Sequence, residues 1–174
     1  MGNLLDSSRL AAGVVHPELG RVYLEEAVQR ALVSIGRGKT GFFRSGIDRV
    51  RVDVGDAVAL ADPGLLERVL ANLLDNALRY APEGPVRVTA CQLGDRVLLN
   101  VADQGRGLPH DGEHLFEPFQ RIGDHDNTAG IGLGLSVARG FVEAMGGSLQ
   151  PTETPGGGLT MVVDLAAPPG VSVG

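Results

Sequence analysis

The chain has 174 residues, 43% of them apolar, which is enough for one domain with a sizeable core. Its net charge of −6 argues against a dedicated nucleic-acid binder, and the single cysteine, Cys91, excludes an internal disulfide and a Cys-rich zinc site. No apolar run reaches about 18 residues and no signal peptide opens the chain, so the sequence predicts a soluble, cytoplasmic unit, one compatible with a place in a longer membrane protein.

In chain order, "LLDSSRLAAG" reads as the end of a helix that starts upstream, and "VYLEEAVQRALVSI" (22–35) has helical periodicity. Residues 36–47, Gly-rich and basic, read as a loop; "DRVRVDV" (48–54) and "DAVALA" (56–61) read as strands. Asp62-Pro63 opens a helix, with proline near its first position. "PVRVTACQL" and "RVLLNVAD" are strands joined by the two-residue turn Gly94-Asp95. A loop runs from about 104 to 130, and "LGLSVARGFVEAM" (133–145) is a helix ended by Gly146-Gly147. "SLQPTE" and "LTMVVDL" form the last strand pair, and the tail "AAPPGVSVG" is predicted to be disordered. With no Trp, the core must be built from Val, Leu, Ile and Ala; Cys91, without charged neighbours, fits core or strand packing.

The helix after Pro63 contains "NLLDNALRY" (72–80), in which Asn and Asp each cost about 0.6 kcal/mol relative to Ala. At 100° per residue, Leu66, Val69, Leu70, Leu73, Leu74, Ala77 and Leu78 cover one broad apolar arc. Asn72, Asn76 and Tyr80 fall at i, i+4 and i+8, a row on the border of that arc, with Arg79 beside it. Such a row is either a solvent-facing polar margin or the seat of a metal ion carrying phosphates.

Glycine, at 26 residues, is about twice its ordinary share, and it clusters. "DQGRGLP" (103–109) follows a strand; its glycines let a planar ring approach the backbone, and Asp103 offers a carboxylate to an amino group. "GIGLGLS" (130–136) opens a helix, whose bare N-terminal N–H groups favour an anion. "TPGGGLT" (154–160) precedes the last strand. Two look-alikes fail: "GRGKT" (36–40) would need its first P-loop glycine at Val33, and "GIGLGL" has Leu135 where the dinucleotide fingerprint needs a third glycine.

Taken together, these motifs resemble the catalytic ATP-binding domain of sensor histidine kinases, in the superfamily shared with gyrase, the HSP90 chaperones and MutL. "NLLDNALRY" matches the family's N box, "DQGRG" its G1, "LFEPF" (115–119) its F box, "GIGLGL" its G2 and "GGGLT" its G3; the resemblance covers roughly residues 20–166. "RGFVEAMGGSL" and "TPGGGLTMVVDL" resemble Kdp-type potassium-sensing kinases. The implied fold is a two-layer α/β sandwich of the Bergerat type: a mixed, largely antiparallel sheet with three main helices on one face and ATP between helices and lid.

The resemblance also implies roles. Asn76 would hold the Mg²⁺ that bridges the phosphates, supported by Asn72; Arg79 and Tyr80 would face phosphates and ribose. Asn72, Asn76 and Arg79 would form the catalytic set. Asp103 would accept a hydrogen bond from the adenine amino group, with Gly107 and Thr160 lining the base pocket and Gly105 and Leu108 beside them. Gly132, Leu133 and Gly134 would give backbone N–H groups to the phosphates, flanked by Gly130 and Leu135. Residues 120–130 would be the ATP lid, anchored by Phe116 and Phe119, with Arg121 either a γ-phosphate contact or a solvated surface residue.

Related ATPases place a water-activating Glu where Asn72 stands, and Asn accepts no proton in the working pH range. The expected activity is therefore phosphoryl donation to a separate histidine; the alternatives are a water-activating ATPase and a non-catalytic nucleotide module. His16, His110, His114 and His125 all lack an acceptor-box context and read as surface residues. The implied layout is the end of a second dimerisation helix (1–12), a connector (13–20), the ATP-binding domain (21–166) and a flexible tail (167–174). The implied partners are the dimerisation and phosphotransfer domain of the same protein, a homodimer when full-length and membrane-anchored, and a response-regulator receiver domain, with no nucleic acid.

Overall fold

A computed structural model describes residues 2–37, 46–81, 83–105, 107 and 134–169. The elements are α1 (Gly2–Ala11), β1 (Gly20–Tyr23), α2 (Leu24–Arg37), β2 (Val50–Asp53), β3 (Val58–Ala61), α3 (Pro63–Tyr80), β4 (Val86–Leu93), β5 (Arg96–Ala102), α4 (Gly134–Ala144), β6 (Ser148–Glu153) and β7 (Leu159–Ala166).

Helix α3 starts where the sequence places it. Asp62 is its N-cap, accepting from the amides of Gly64 at 3.0 Å and Leu65 at 3.1 Å, and Pro63 occupies a first-turn site whose N–H would have no helical partner. All seven residues of its predicted apolar arc are buried. Each fully buried Leu or Val contributes roughly 1.5–3 kcal/mol, which outweighs the poor helix propensity of the asparagines.

The main sheet has the order β2-β4-β5-β7-β6. β2 runs parallel to β4, and the other pairs are antiparallel, so the sheet is mixed and largely antiparallel as expected. Gly94-Asp95 makes the β4–β5 turn, with Leu93 opposite Arg96. Val88, Val101 and Met161 line up across three strands, as do Val97 and Leu165, and all five are buried against the helical layer. α2, α3 and α4 contribute their buried stripes to the same core. The opposite face carries polar pairs such as Arg96–Asp164 at 2.7 Å, a half-exposed ion pair worth little by itself.

Two expectations need correction. The periodic segment 22–35 is not helical from its start: Val22 and Tyr23 belong to β1, which pairs antiparallel with β3 as a separate two-stranded sheet. Val22 is buried and Tyr23 exposed, the alternation of a strand, and the helix begins only at Leu24 and continues to Arg37. Cys91 lies on β4 but is exposed, because Val86 and Val88 fix the inward phase and position 91 falls on the other face.

Helix α1 packs on α4 and α3. Asp6, almost fully buried, is ion-paired with Arg68 of α3. Leu10 sits so close to α4 that a Cβ on Gly140 would lie 2.6 Å from its Cδ1. At the other end, the amide of Ala167 donates to the Asp95 carbonyl at 2.8 Å and Pro168 is buried, so the chain follows the sheet to that point. Among the described residues, no helix is long and apolar enough to cross a membrane.

Candidate nucleotide site

Asp103 follows the last residue of β5 and is 4% exposed. Its backbone extends the ladder, with its amide donating to Leu159 O at 2.9 Å. Its carboxylate oxygen Oδ1 accepts from the amides of Gly105 at 2.9 Å and Leu159 at 3.0 Å. None of the described residues donates to Oδ2. One oxygen is thus committed to holding the turn, and the other remains an oriented acceptor.

The glycines around it fit the backbone together. Gly158 has φ +120°, and a Cβ there would stand 2.0 Å from the carbonyl oxygen of Asp103. A Cβ on Gly105 would stand 2.7 Å from the carbonyl oxygen of Tyr80. The turn after β5 is therefore pressed between the start of β7 and the end of α3, and no side chain fits at either contact.

Thr160, 9% exposed, lies opposite Ala102 in the β5–β7 register, next to this turn. Its hydroxyl is 2.9 Å from that of Thr154, a partner that only the fold reveals. Gly107, with φ +81°, approaches the backbone of Gly158.

On α3, Asn72, Asn76, Arg79 and Tyr80 are all half-buried, as a border row should be. Arg79 donates from Nη2 to Asp75 Oδ2 at 3.1 Å. The side-chain nitrogen of Asn72 and Oδ1 of Asp75 are buried without hydrogen-bond partners. Buried amides are rarely left so, and of these two unmet atoms that of Asn72 lies in the same row as Asn76.

Gly134 and Leu135 are the first described residues of α4. Leu108, Arg121, Gly130, Gly132, Leu133, Phe116 and Phe119 lie outside the described residues, as do His110, His114 and His125. His16 is exposed in the connector. The structure thus joins the end of α3, the Asp103 turn and the start of β7 in one place, with a carboxylate acceptor, a hydroxyl pair and neutral amides. Among the described residues, no group of three or more His, Cys, Asp or Glu side chains could hold a metal ion.

Comparison with known proteins agrees with this fold. Residues 61–169 match the family described as histidine kinase-, DNA gyrase B-, and HSP90-like ATPase. The sensor protein KdpD of Mycobacterium tuberculosis (strain CDC 1551 / Oshkosh) is 73% identical over 97% of this chain, which spans 20% of that relative's length. The solved mycobacterial sensor histidine kinase MprB is 30% identical with a TM-score of 0.72, over 86% of this chain and 99% of that one. Full-length ShkA in complex with AMPPNP gives a TM-score of 0.74 at 26% identity, over 95% of this chain and 35% of that one.

Proposed function

The chain belongs to the histidine kinase-, DNA gyrase B- and HSP90-like ATPase family, and on that premise we propose that it binds ATP with Mg²⁺ and donates the γ-phosphoryl group to a histidine of a dimerisation domain, as part of a Kdp-type sensor kinase. The observation that carries this reading is Asp103: a buried carboxylate with one oxygen fixed by two amides and the other open to a donor. That arrangement suits the exocyclic amino group of adenine.

Residues of α3 supply the phosphate end. Asn76, with Asn72, would hold Mg²⁺ through amide oxygens, and the partnerless amide of Asn72 fits a site that a bound group completes. When bound, the ion would offset the negative charge that develops on the phosphates. Arg79, half-buried and steered by Asp75, lies beside that row and would face the phosphates, with Tyr80 towards the ribose. The backbone amides of Gly134 and Leu135, in the first described turn of α4, would add donors for an anion. Asn72 offers no base to a water molecule, so the chain positions ATP and leaves the attack to an imported nucleophile. In the transfer, an imidazole nitrogen of the acceptor histidine bonds to the γ-phosphorus as the bond to the β–γ bridging oxygen breaks, and ADP leaves.

Such a kinase would act as a homodimer, pass its phosphoryl group to a response-regulator receiver domain and be membrane-anchored through segments outside this chain, with this part in the cytoplasm. The test is mixing. A separately supplied dimerisation domain carrying the acceptor histidine should gain an acid-labile, base-stable label from γ-labelled ATP in the presence of the 174-residue chain, weakly because no tether raises the local concentration. Labelling that survives Asp103→Ala would refute the site.

A further inference from the structure

Three carbonyls, two at the end of α3 and one in the loop that follows it, converge on one side chain. Arg49, just before β2, donates from Nη2 to Leu78 O at 3.1 Å and from Nη1 to Ala81 O at 2.6 Å and Gly84 O at 3.0 Å. Its own carbonyl accepts the Val86 amide at 3.0 Å, where the β2–β4 ladder begins. The last carbonyls of a helix have no partners within it and carry the negative end of its dipole. A planar guanidinium answers both needs, and its fork reaches several acceptors where an ammonium is a single point charge.

The same turn of α3 is confined from the other side. Gly105 lies so close that a Cβ would meet the Tyr80 carbonyl at 2.7 Å. The turn bearing Asn76, Arg79 and Tyr80 is thus held between the Arg49 fork and the Asp103 loop. Asp103 and Thr160 are fixed differently, by β5–β7 bonds and the Thr154 hydroxyl, in which Arg49 has no part.

We propose that Arg49 is a positioning residue for the phosphate end of the nucleotide, acting through the last turn of α3. The inference rests on the nucleotide reading above and adds a division of labour to it: the sheet sets the adenine end, and Arg49 sets the helix end that meets the phosphates. A residue needed only for folding would weaken every ligand equally. A positioning residue would weaken ATP·Mg²⁺ far more than adenosine, which has no phosphates.

The experiment is calorimetric titration of the wild-type chain and Arg49→Gln with ATP·Mg²⁺ and with adenosine, alongside circular dichroism. Arg49→Gln should lose about tenfold in ATP·Mg²⁺ affinity and less than about twofold for adenosine, with the fold retained. Arg49→Lys, which keeps the charge but not the fork, should show the same selectivity with a smaller loss, and it carries the test if Arg49→Gln does not fold. Equal losses for both ligands, no loss for ATP·Mg²⁺, or failure of both variants to fold would overturn the inference while wild-type binding upholds the nucleotide reading. A wild-type chain that binds neither ligand would overturn that reading and the inference with it.

Discussion

Asp103 Oδ1 accepts the amide of Leu159 at 3.0 Å, across 56 residues of sequence. A single carboxylate thereby ties the turn after β5 to the start of β7 and leaves its second oxygen for a ligand. On the proposed reading, structural and binding roles would reside on separate atoms of one side chain, and substitutions can separate them.

Asp103→Asn keeps an oxygen for the two amides but replaces Oδ2 with a donor facing the adenine amino group. ATP affinity should fall by about 1.5–3 kcal/mol with little change in melting temperature. Asp103→Ala also removes both amide contacts, so it should cost a further 1–3 kcal/mol of stability, roughly 2–12 °C in Tm for this size, besides abolishing the ATP-induced shift. In the wild type, ATP·Mg²⁺ at about 100 times Kd should add about 2.7 kcal/mol of stability. A thermal-shift series with ATP and GTP checks all three; equal protection by GTP would count against adenine recognition.

Asn76→Ala should abolish metal-dependent ATP binding and leave the fold intact. The residue is half-buried at the edge of the apolar arc, so no large cavity opens. Ala is the better helix former by about 0.6 kcal/mol, so the variant should melt at the wild-type temperature or slightly above it. Circular dichroism melts with and without ATP·Mg²⁺ decide; a lower Tm without ligand would make Asn76 structural.

The helical core was legible in the sequence, and the long-range hydrogen bonding was not. The arc from Leu66 to Leu78 and the turn at Gly94-Asp95 rest on local rules, period and turn chemistry, and the structure reproduces both. Asp103 could be singled out because a carboxylate followed by glycines directly after a strand is itself a local pattern. Val22 and Tyr23 were read as helix because their apolar spacing continues the periodicity of 24–35; only pairing with β3 makes them a strand. Cys91 lies on a strand, as one of its two expected settings has it, but faces outward, because the phase of β4 is set by Val86 and Val88 and not by the lack of charge around the cysteine. Arg49 carries no motif, since its acceptors lie 29 to 35 residues away; Thr154 stands in the glycine cluster 154–160, but nothing local shows that its hydroxyl meets that of Thr160.

Gly158→Ala should be far more costly than Gly156→Ala. Both have positive φ, at 120° and 88°, and so share a backbone penalty of roughly 1–2 kcal/mol. Only at Gly158 would the new methyl stand 2.0 Å from a backbone oxygen, that of Asp103, whereas Gly156 faces open space. Chemical denaturation should show Gly156→Ala folded and Gly158→Ala either unfolded or with a displaced Asp103 and no ATP binding. Similar midpoints for the two would mean that the β5–β7 junction is looser than its contacts imply.

Arg68→Ala should release α1 from the body of the domain. Asp6 is almost fully buried, and Arg68 is the ion-pair partner that compensates it. An unpaired carboxylate in that position is costly, but α1 can move out into water, so the loss is capped by the docking free energy of the helix. Amide exchange of residues 2–11 should accelerate while that of α3 and β5 stays unchanged. Faster exchange throughout would show instead that α1 is integral to the core.

The chain alone should hydrolyse ATP slowly and carry no phosphoryl group of its own. Hydrolysis needs a base to take a proton from water, and the Asn72 amide cannot serve as one. Self-labelling needs a nucleophilic histidine at the γ-phosphate, and His16, the one histidine among the described residues, lies exposed in the connector before β1. Incubation with γ-labelled ATP, followed by alkaline gel separation and phosphate release assays, should show unlabelled protein and turnover close to the uncatalysed background. Acid-labile label on His16, His110, His114 or His125, or brisk turnover without a partner, would place the reaction chemistry within this chain and not in the domain it serves.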